Sequence, residues 1–219
     1  MAYPYPLVVF DLDGTLVDSA ADIAEALNRT LEDWQSPRVT EATVLTWIGD
    51  GVRRLVEQAF AAAASDIDLD RVMPGFMLHY EACLLRSPRL YEGVDPALRE
   101  LRARGVTLAI CTNKPSALVA PLLQYFDLQE LFALVLGGDS LAERKPSGAP
   151  LRHIADAFGI AAESALMVGD SITDFRAAVD AGMPVALVRY GYPRGLDLEH
   201  VEAVAVMDDL RELLALAQA

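Results

Sequence analysis

Six short apolar runs constrain this chain more than any other feature: LVVF (7–10), VTLAICTN (106–113), FALVLGGD (132–139), ALMVGD (165–170), PVALVRYG (184–191) and AVAVMD (203–208). None alternates apolar with polar residues, so each predicts a strand buried on both faces. Between the later runs lie helical patterns at 96–105, 116–126, 149–159 and 173–182, several of them closed by glycine, which ends helices by adopting left-handed backbone. Strand and helix alternating at this spacing imply an α/β fold with a Rossmann-like, doubly wound parallel sheet.

Residues 16–89 break that rhythm. SAADIAEALNRTLEDW sets Ile23, Leu27, Leu31 and Trp34 on one helical face, with Ser19 as N-cap and Asp22 in the first turn. GVRRLVEQAFAAAA and DRVMPGFMLHYEACLL also predict helices, and Pro74-Gly75 implies a late start or a break in the second. No strand is expected in this stretch. The expected organisation is an all-α cap, residues 16–89, inserted into a catalytic core made of residues 1–15 and 90–219, with joints near 15–19 and 87–93.

Parallel sheets bind ligands beyond the carboxyl ends of their strands. The residues that follow each run therefore matter most. They are Asp11, Asp13, Gly14 and Thr15 after the first, Thr112, Asn113 and Lys114 after the second, Lys145 a few residues beyond the third, and Asp170, Ser171 and Asp174 after the fourth. Two carboxylates as close as Asp11 and Asp13 repel one another and lose hydration at a strand end, a cost that a bound divalent cation offsets.

Such a set suits phosphoryl transfer. Asp11, Asp13 and Asp170 are the expected ligands of a Mg²⁺ ion, a hard cation that recruits oxygen donors and substrate phosphate. Asp11, first beyond the strand, is placed to attack phosphorus and become an aspartyl phosphate. Asp13 is placed to serve as acid to the leaving alcohol and then as base for water. Thr112, Asn113 and Lys145 would hold the phosphoryl oxygens, and Asp174 would orient Lys145. Each acid taken alone also fits an ordinary helix cap, and each glycine a turn; four such elements at four strand ends do not.

Composition narrows the ligand further. A net charge of −14 over 219 residues excludes nucleic acid, which requires clustered basic side chains. Lysine occurs twice, at Lys114 and Lys145, among eighteen basic residues, and both positions fall in the expected site. Cys83 and Cys111 are too few for a disulfide framework and sit in apolar stretches that suggest packing. Neither a leader pattern nor an apolar stretch of membrane-spanning length is present in the sequence. The expectation is a cytoplasmic enzyme, a monomer or homodimer, acting on a small phosphate ester without nucleic acid or membrane partners. His79, His153, His200, Trp34 and Trp47 are expected to be structural.

In their order and spacing DLDGTLVDS, CTN, Lys145 and GDSITD resemble the four motifs of the haloacid dehalogenase superfamily. The resemblance implies Asp11 as nucleophile, Asp13 as acid/base with its carbonyl on Mg²⁺, Thr112 and Lys145 on phosphate, and Asp170 completing the metal site. It also implies a Rossmann-like core with a mobile helical cap. Longer stretches, among them WIGDGVRRLVEQAF and AICTNKPSALVAPLLQYF, resemble the phosphoglycolate phosphatases of that superfamily, implying hydrolysis of 2-phosphoglycolate. Two positions depart from that pattern: Ser147-Gly148 replaces His-Pro after KP, and Asp50 replaces Asn in the cap loop.

That loop carries its own argument. Gly49 and Gly51 open a helix whose N-terminal N–H groups and dipole favour an anion, and Arg53 or Arg54 is placed to clamp a carboxylate. Alternatives remain at this level: another small sugar or acid phosphatase, a phosphomutase, or a non-catalytic binding protein on the same fold. A dehalogenase would not need Asp13, and a Schiff-base phosphonate hydrolase needs a cap lysine that residues 16–89 lack.

Overall fold

The computed structural model of the protein describes residues 3–65 and 67–216. Its centre is a six-stranded sheet formed by β1 (Leu7–Phe10), β4 (Thr107–Cys111), β5 (Leu134–Leu136), β6 (Ala165–Gly169), β7 (Val185–Val188) and β8 (Ala205–Met207), one strand at each expected run. The order is β5-β4-β1-β6-β7-β8, and every pairing is parallel.

Side-chain alternation along β1 divides the core. Val8 and Phe10 enter a layer with α5 (Val94–Ala103) and α6 (Ser116–Tyr125), while Leu7 and Val9 enter one with α7 (Ala149–Ala157) and α8 (Ile172–Ala181). All four are fully buried, each contributing about 1.5–3 kcal/mol of apolar burial. A charge at any of them would break one layer. The helices start within two residues of the expected positions.

Topology explains the site's location. From β1 the chain builds outward through β4 to β5, then returns to β1's other side for β6, β7 and β8. The direction reverses beside β1, which opens a crevice at its carboxyl end.

A third apolar cluster lies among α1 (Ala20–Asp33), α2 (Glu41–Leu45), α3 (Val52–Ala62) and α4 (Leu69–Cys83). The pairing of α1 with α4 is the most extensive among the helices. Val72, Phe76, Tyr80 and Cys83 recur at helical spacing along α4 and are all buried. This row corrects the expected late start or break, because α4 runs through Pro74 without interruption. Proline at its sixth position forfeits one hydrogen bond near the amino end, and the packed row on either side outweighs that loss.

The stretch holds two strands the sequence pattern did not suggest. β2 (Val17–Asp18) pairs antiparallel with β3 (Arg89–Leu90), joining the two places where the chain passes between the helical cluster and the sheet. Two residues are too few to show a period. Asp22, in the first turn of α1 as expected, is buried and accepts hydrogen bonds from the Ser87 N–H and hydroxyl (3.2 and 2.7 Å), tying the same two crossings together. Among the described residues no helix is long and apolar enough to cross a membrane.

Candidate active site

Three carboxylates meet at the crevice. Asp11, Asp170 and Asp174 each place an oxygen within 4.8 Å of the others, and all three are buried. Lys145 lies among them, its Nζ 2.8 Å from Asp11 Oδ1 and 2.6 Å from Asp174 Oδ1. Three negative charges facing one positive leave two uncompensated, a balance that a dication would restore. The donors are all hard oxygens, so the set fits Mg²⁺.

Electrostatics state the same strain. Burial first, and then the Asp174 and Asp11 charges, push Asp170 well above the usual carboxylate range. Asp11 is raised to about 6, by burial first, with Lys145 opposing and Asp174 and Asp13 adding to the rise. Burial by itself would lower the Lys145 ammonium, yet Asp11 and Asp174 outweigh it and hold the group firmly protonated.

Local structure fixes each group. Asp170 Oδ1 accepts from the Thr15 hydroxyl (2.7 Å) and Oδ2 from the Tyr192 N–H (2.6 Å). Gly14 passes so close that a Cβ there would stand 2.3 Å from Asp170 Oδ2, and its φ of +95° disfavours any side chain. Ser171 caps α8 in a capping box with Asp174. Asp174 Oδ2 accepts from Ser171, leaving Oδ1 to Lys145. The helix-cap reading of Asp174 and its expected service to Lys145 thus hold together, one on each oxygen.

Asp13 takes a different direction. Its Oδ1 accepts from the Ser19 hydroxyl at 2.6 Å, and Lys114 Nζ stands 3.0 and 3.1 Å from its two oxygens. The Asp13 side chain therefore does not join the carboxylate cluster, and Asp174 stands there in its place. Ser19 keeps its position before α1 but forms no side-chain cap hydrogen bond; its hydroxyl is committed to Asp13.

Asn113 departs from its expected position against phosphate. Its amide donates to Gly49 O and Lys145 O, both at 2.8 Å, binding the cap loop and the Lys145 loop to the strand end. Both N–H groups are thereby used. Thr112 is buried beside it, with its hydroxyl accepting from the Lys114 N–H.

Above these groups lies a hollow of about 40 Å³, partly open to solvent. The core contributes Asp11, Asp13, Thr112, Asn113 and Lys114; the helical cluster contributes Ile23, Ile48, Gly49, Gly51, Val52, Leu55 and Tyr80. Gly49 and Gly51 fall where the cap-loop reading placed them, Gly51 opening α3 at a φ of +89°. Arg53 and Arg54 do not line the hollow. Arg53 is exposed and paired with Asp70 at 2.7 Å, and Arg54 is paired with Glu57 on its own helix. The expected carboxylate clamp is thereby corrected: both positions lie on the wet face of α3, whose opposite face buries Leu55, Val56, Ala59 and Phe60.

Several contributors escaped the sequence reading. Tyr80 reads as one more apolar position on α4, and Tyr192 and Arg194 sit in a loop without periodic signal. Arg194 spans the seam. Its guanidinium holds Asp50 at 2.7 and 2.5 Å, while Asp50 also accepts from Thr173 at 3.0 Å. Hydrogen bonding to Arg194 holds Asp50 below the usual carboxylate range. The acid at the departing cap-loop position is therefore neutralised and faces away from the hollow. Gly148, at the other departing position, donates its N–H to Asp180 at 2.6 Å, which proline has no hydrogen to do.

Comparison with known proteins supports the same reading from outside the geometry. Residues 8–188 match the family model described as haloacid dehalogenase-like hydrolase.

The chain belongs to that family.

A phosphoglycolate phosphatase from Colwellia psychrerythraea is 39% identical to this hydrolase over 214 residues, 95% of each chain. One from Rhodospirillum rubrum is 41% identical over 213 residues, covering 94% of this chain and 88% of its own. The crystal structure of a predicted phosphoglycolate phosphatase from Haemophilus somnus superimposes with a TM-score of 0.91 at 36% identity, covering 98% of this chain and 99% of that one. With such relatives along nearly its whole length, the hydrolase is a phosphatase.

Proposed function

We propose that this phosphatase hydrolyses 2-phosphoglycolate to glycolate and inorganic phosphate, with Mg²⁺ as cofactor and a phosphoryl group carried transiently on Asp11. The observation that carries the reading is the buried triad of Asp11, Asp170 and Asp174 facing Lys145, with Asp13 turned aside into the neighbouring hollow. The names of the full-length relatives support the substrate.

Asp11, Asp170 and the main-chain carbonyl of Asp13 would hold the metal, which when bound offsets the excess negative charge and draws the phosphoryl oxygens in. Asp11 attacks phosphorus with one carboxylate oxygen, and the bond to the leaving oxygen breaks. Asp13 gives that oxygen its proton and then takes one from the water that attacks the acyl phosphate, returning Asp11 to a carboxylate. Lys145 and the Thr112 hydroxyl balance charge on the transferring group. Asp174 positions Lys145, and Asn113 holds the two loops that complete the site.

Residues 16–89 act as a cap over the core formed by 1–15 and 90–219, opening at the β2–β3 crossings to admit substrate and closing to exclude water. All of the groups in these steps belong to one chain, and both cysteines are free and buried, compatible with a reducing cytoplasm.

The test is phosphate release from 2-phosphoglycolate, sugar phosphates and nucleotides, with Mg²⁺ and after chelation. Phosphoglycolate is expected to give the highest kcat/KM, and chelation to remove the activity. A sugar phosphate turned over more efficiently would transfer the assignment to that substrate class. Failure to release phosphate from any ester would return the chain to the binding-protein reading.

A further inference from the structure

With Arg53 and Arg54 on the outer face of α3, the hollow still contains a cation, Lys114. Its side chain is wholly buried. Besides its contacts with Asp13, Nζ donates to the Tyr80 hydroxyl and lies 4.6 Å from the centre of that ring. Tyr80 comes from α4 and Lys114 from the segment after β4, so the two halves of the molecule meet in this contact. An ammonium has three N–H groups. The two Asp13 oxygens and the Tyr80 hydroxyl are its three partners, and a carboxylate in the hollow that all three residues line would take over one of the two N–H groups now shared with Asp13.

We propose that Lys114, braced by Tyr80, is the residue that selects substrates carrying a carboxylate one carbon from the leaving oxygen. The inference rests on the phosphatase reading and deepens it. An acid/base must lie within hydrogen-bond reach of the leaving oxygen. In a glycolyl ester, that oxygen and the carboxylate share a single carbon. A cation about 3 Å from Asp13 therefore stands where the carboxylate falls. A charge at the far end of a sugar chain would overshoot it. The remaining cap-side walls, Ile23, Ile48, Val52 and Leu55, have no polar side-chain atoms, and a row of sugar hydroxyls buried against them would lose hydrogen bonds to water without replacement. Because Tyr80 belongs to the helical cluster, the carboxylate site is complete only with the two halves together.

The experiment compares 2-phosphoglycolate with ethyl phosphate, which replaces the carboxylate by a methyl group and keeps the ester. Lys114→Met is expected to lower kcat/KM for both, because Asp13 loses a partner, but to lower it about 30-fold more for phosphoglycolate. Tyr80→Phe is expected to cut the same ratio about threefold, and Lys114→Arg to restore part of it. Equal losses on both substrates would overturn the proposal and leave Lys114 as a positioning residue for Asp13. A measurement on the unaltered enzyme guards against a variant that does not fold: glycolate should inhibit competitively at concentrations at least about tenfold below glycolamide. Equal inhibition by acid and amide would overturn the selection directly. If the unaltered enzyme releases no phosphate from phosphoglycolate but does so from other esters, the substrate assignment fails, an outcome distinct from equal losses in the variants.

Discussion

The two sides of the hollow are built by different rules. The core side is polar and cross-linked, with each functional group held by at least one other: Asp170 by Thr15 and Tyr192, Lys145 by Asp11 and Asp174, Asp13 by Ser19 and Lys114. The side from the helical cluster is apolar apart from the Tyr80 hydroxyl and the backbone of Gly49 and Gly51. In the proposed reading, the first wall would serve charge movement at phosphorus, and the second would limit size and exclude water. The contrast teaches that the charged groups are gathered on the core side and the apolar enclosure on the other, the two meeting at a few contacts such as Lys114–Tyr80 and Asp50–Arg194.

The sharpest way to break that division is at the nucleophile. Asp11→Asn keeps the size and the buried site and removes the attacking carboxylate, so kcat should fall about ten-thousandfold or more, measured by phosphate release, while circular dichroism stays unchanged. A variant with undiminished rate would refute the nucleophile assignment. Next in size is the metal. With Mg²⁺ at about a hundred times its Kd, the protein should gain about 2.7 kcal/mol, raising Tm by roughly 5 °C or more at this chain length. Asp170→Asn, which removes one of the charged oxygens expected on the metal, should abolish that rise. A Tm indifferent to Mg²⁺ would remove the dication from the site.

Smaller effects probe the seam. Asp50→Ala and Arg194→Ala should each lower kcat/KM about three- to tenfold, and in the double variant the losses should fail to add, with a coupling of about 1 kcal/mol. Additive losses would mean that this pair does not hold the halves together. Smallest of all is Arg53→Ala. An exposed arginine paired with Asp70 should change kcat/KM less than twofold on any ester, and a larger, carboxylate-specific loss would reinstate it as a clamp at the expense of Lys114.

The polar wall was legible in the chain because each of its residues follows a strand, and strands buried on both faces announce themselves by composition. Asp11 needs only LVVF before it, and Asp170 only ALMVG. Asp174 was legible as a neighbour of Asp170, four residues on; its place in a capping box came with the structure. The other wall was not. Tyr80 occupies the same helical row as Val72 and Phe76, and nothing in that row marks it as the residue that touches Lys114. The arginines of α3 misled for a related reason: a motif at a helix start tells which residues are near, but the side of the helix they occupy depends on what buries the opposite face.

By itself, then, the order of residues determined the parallel sheet, the ends of its strands and the acids and lysines gathered there, because those follow from local periodicity and from one topological rule. Only the tertiary structure decided that Asp13 turns from the carboxylate cluster toward Lys114, that Asn113 binds loops together, that Asp50 is neutralised by Arg194, and that β2 meets β3. Each of those outcomes depends on a partner from 32 to 144 positions away in the chain. No local pattern records such a partner, since the energy that selects it arises only when burial has removed water as the competitor.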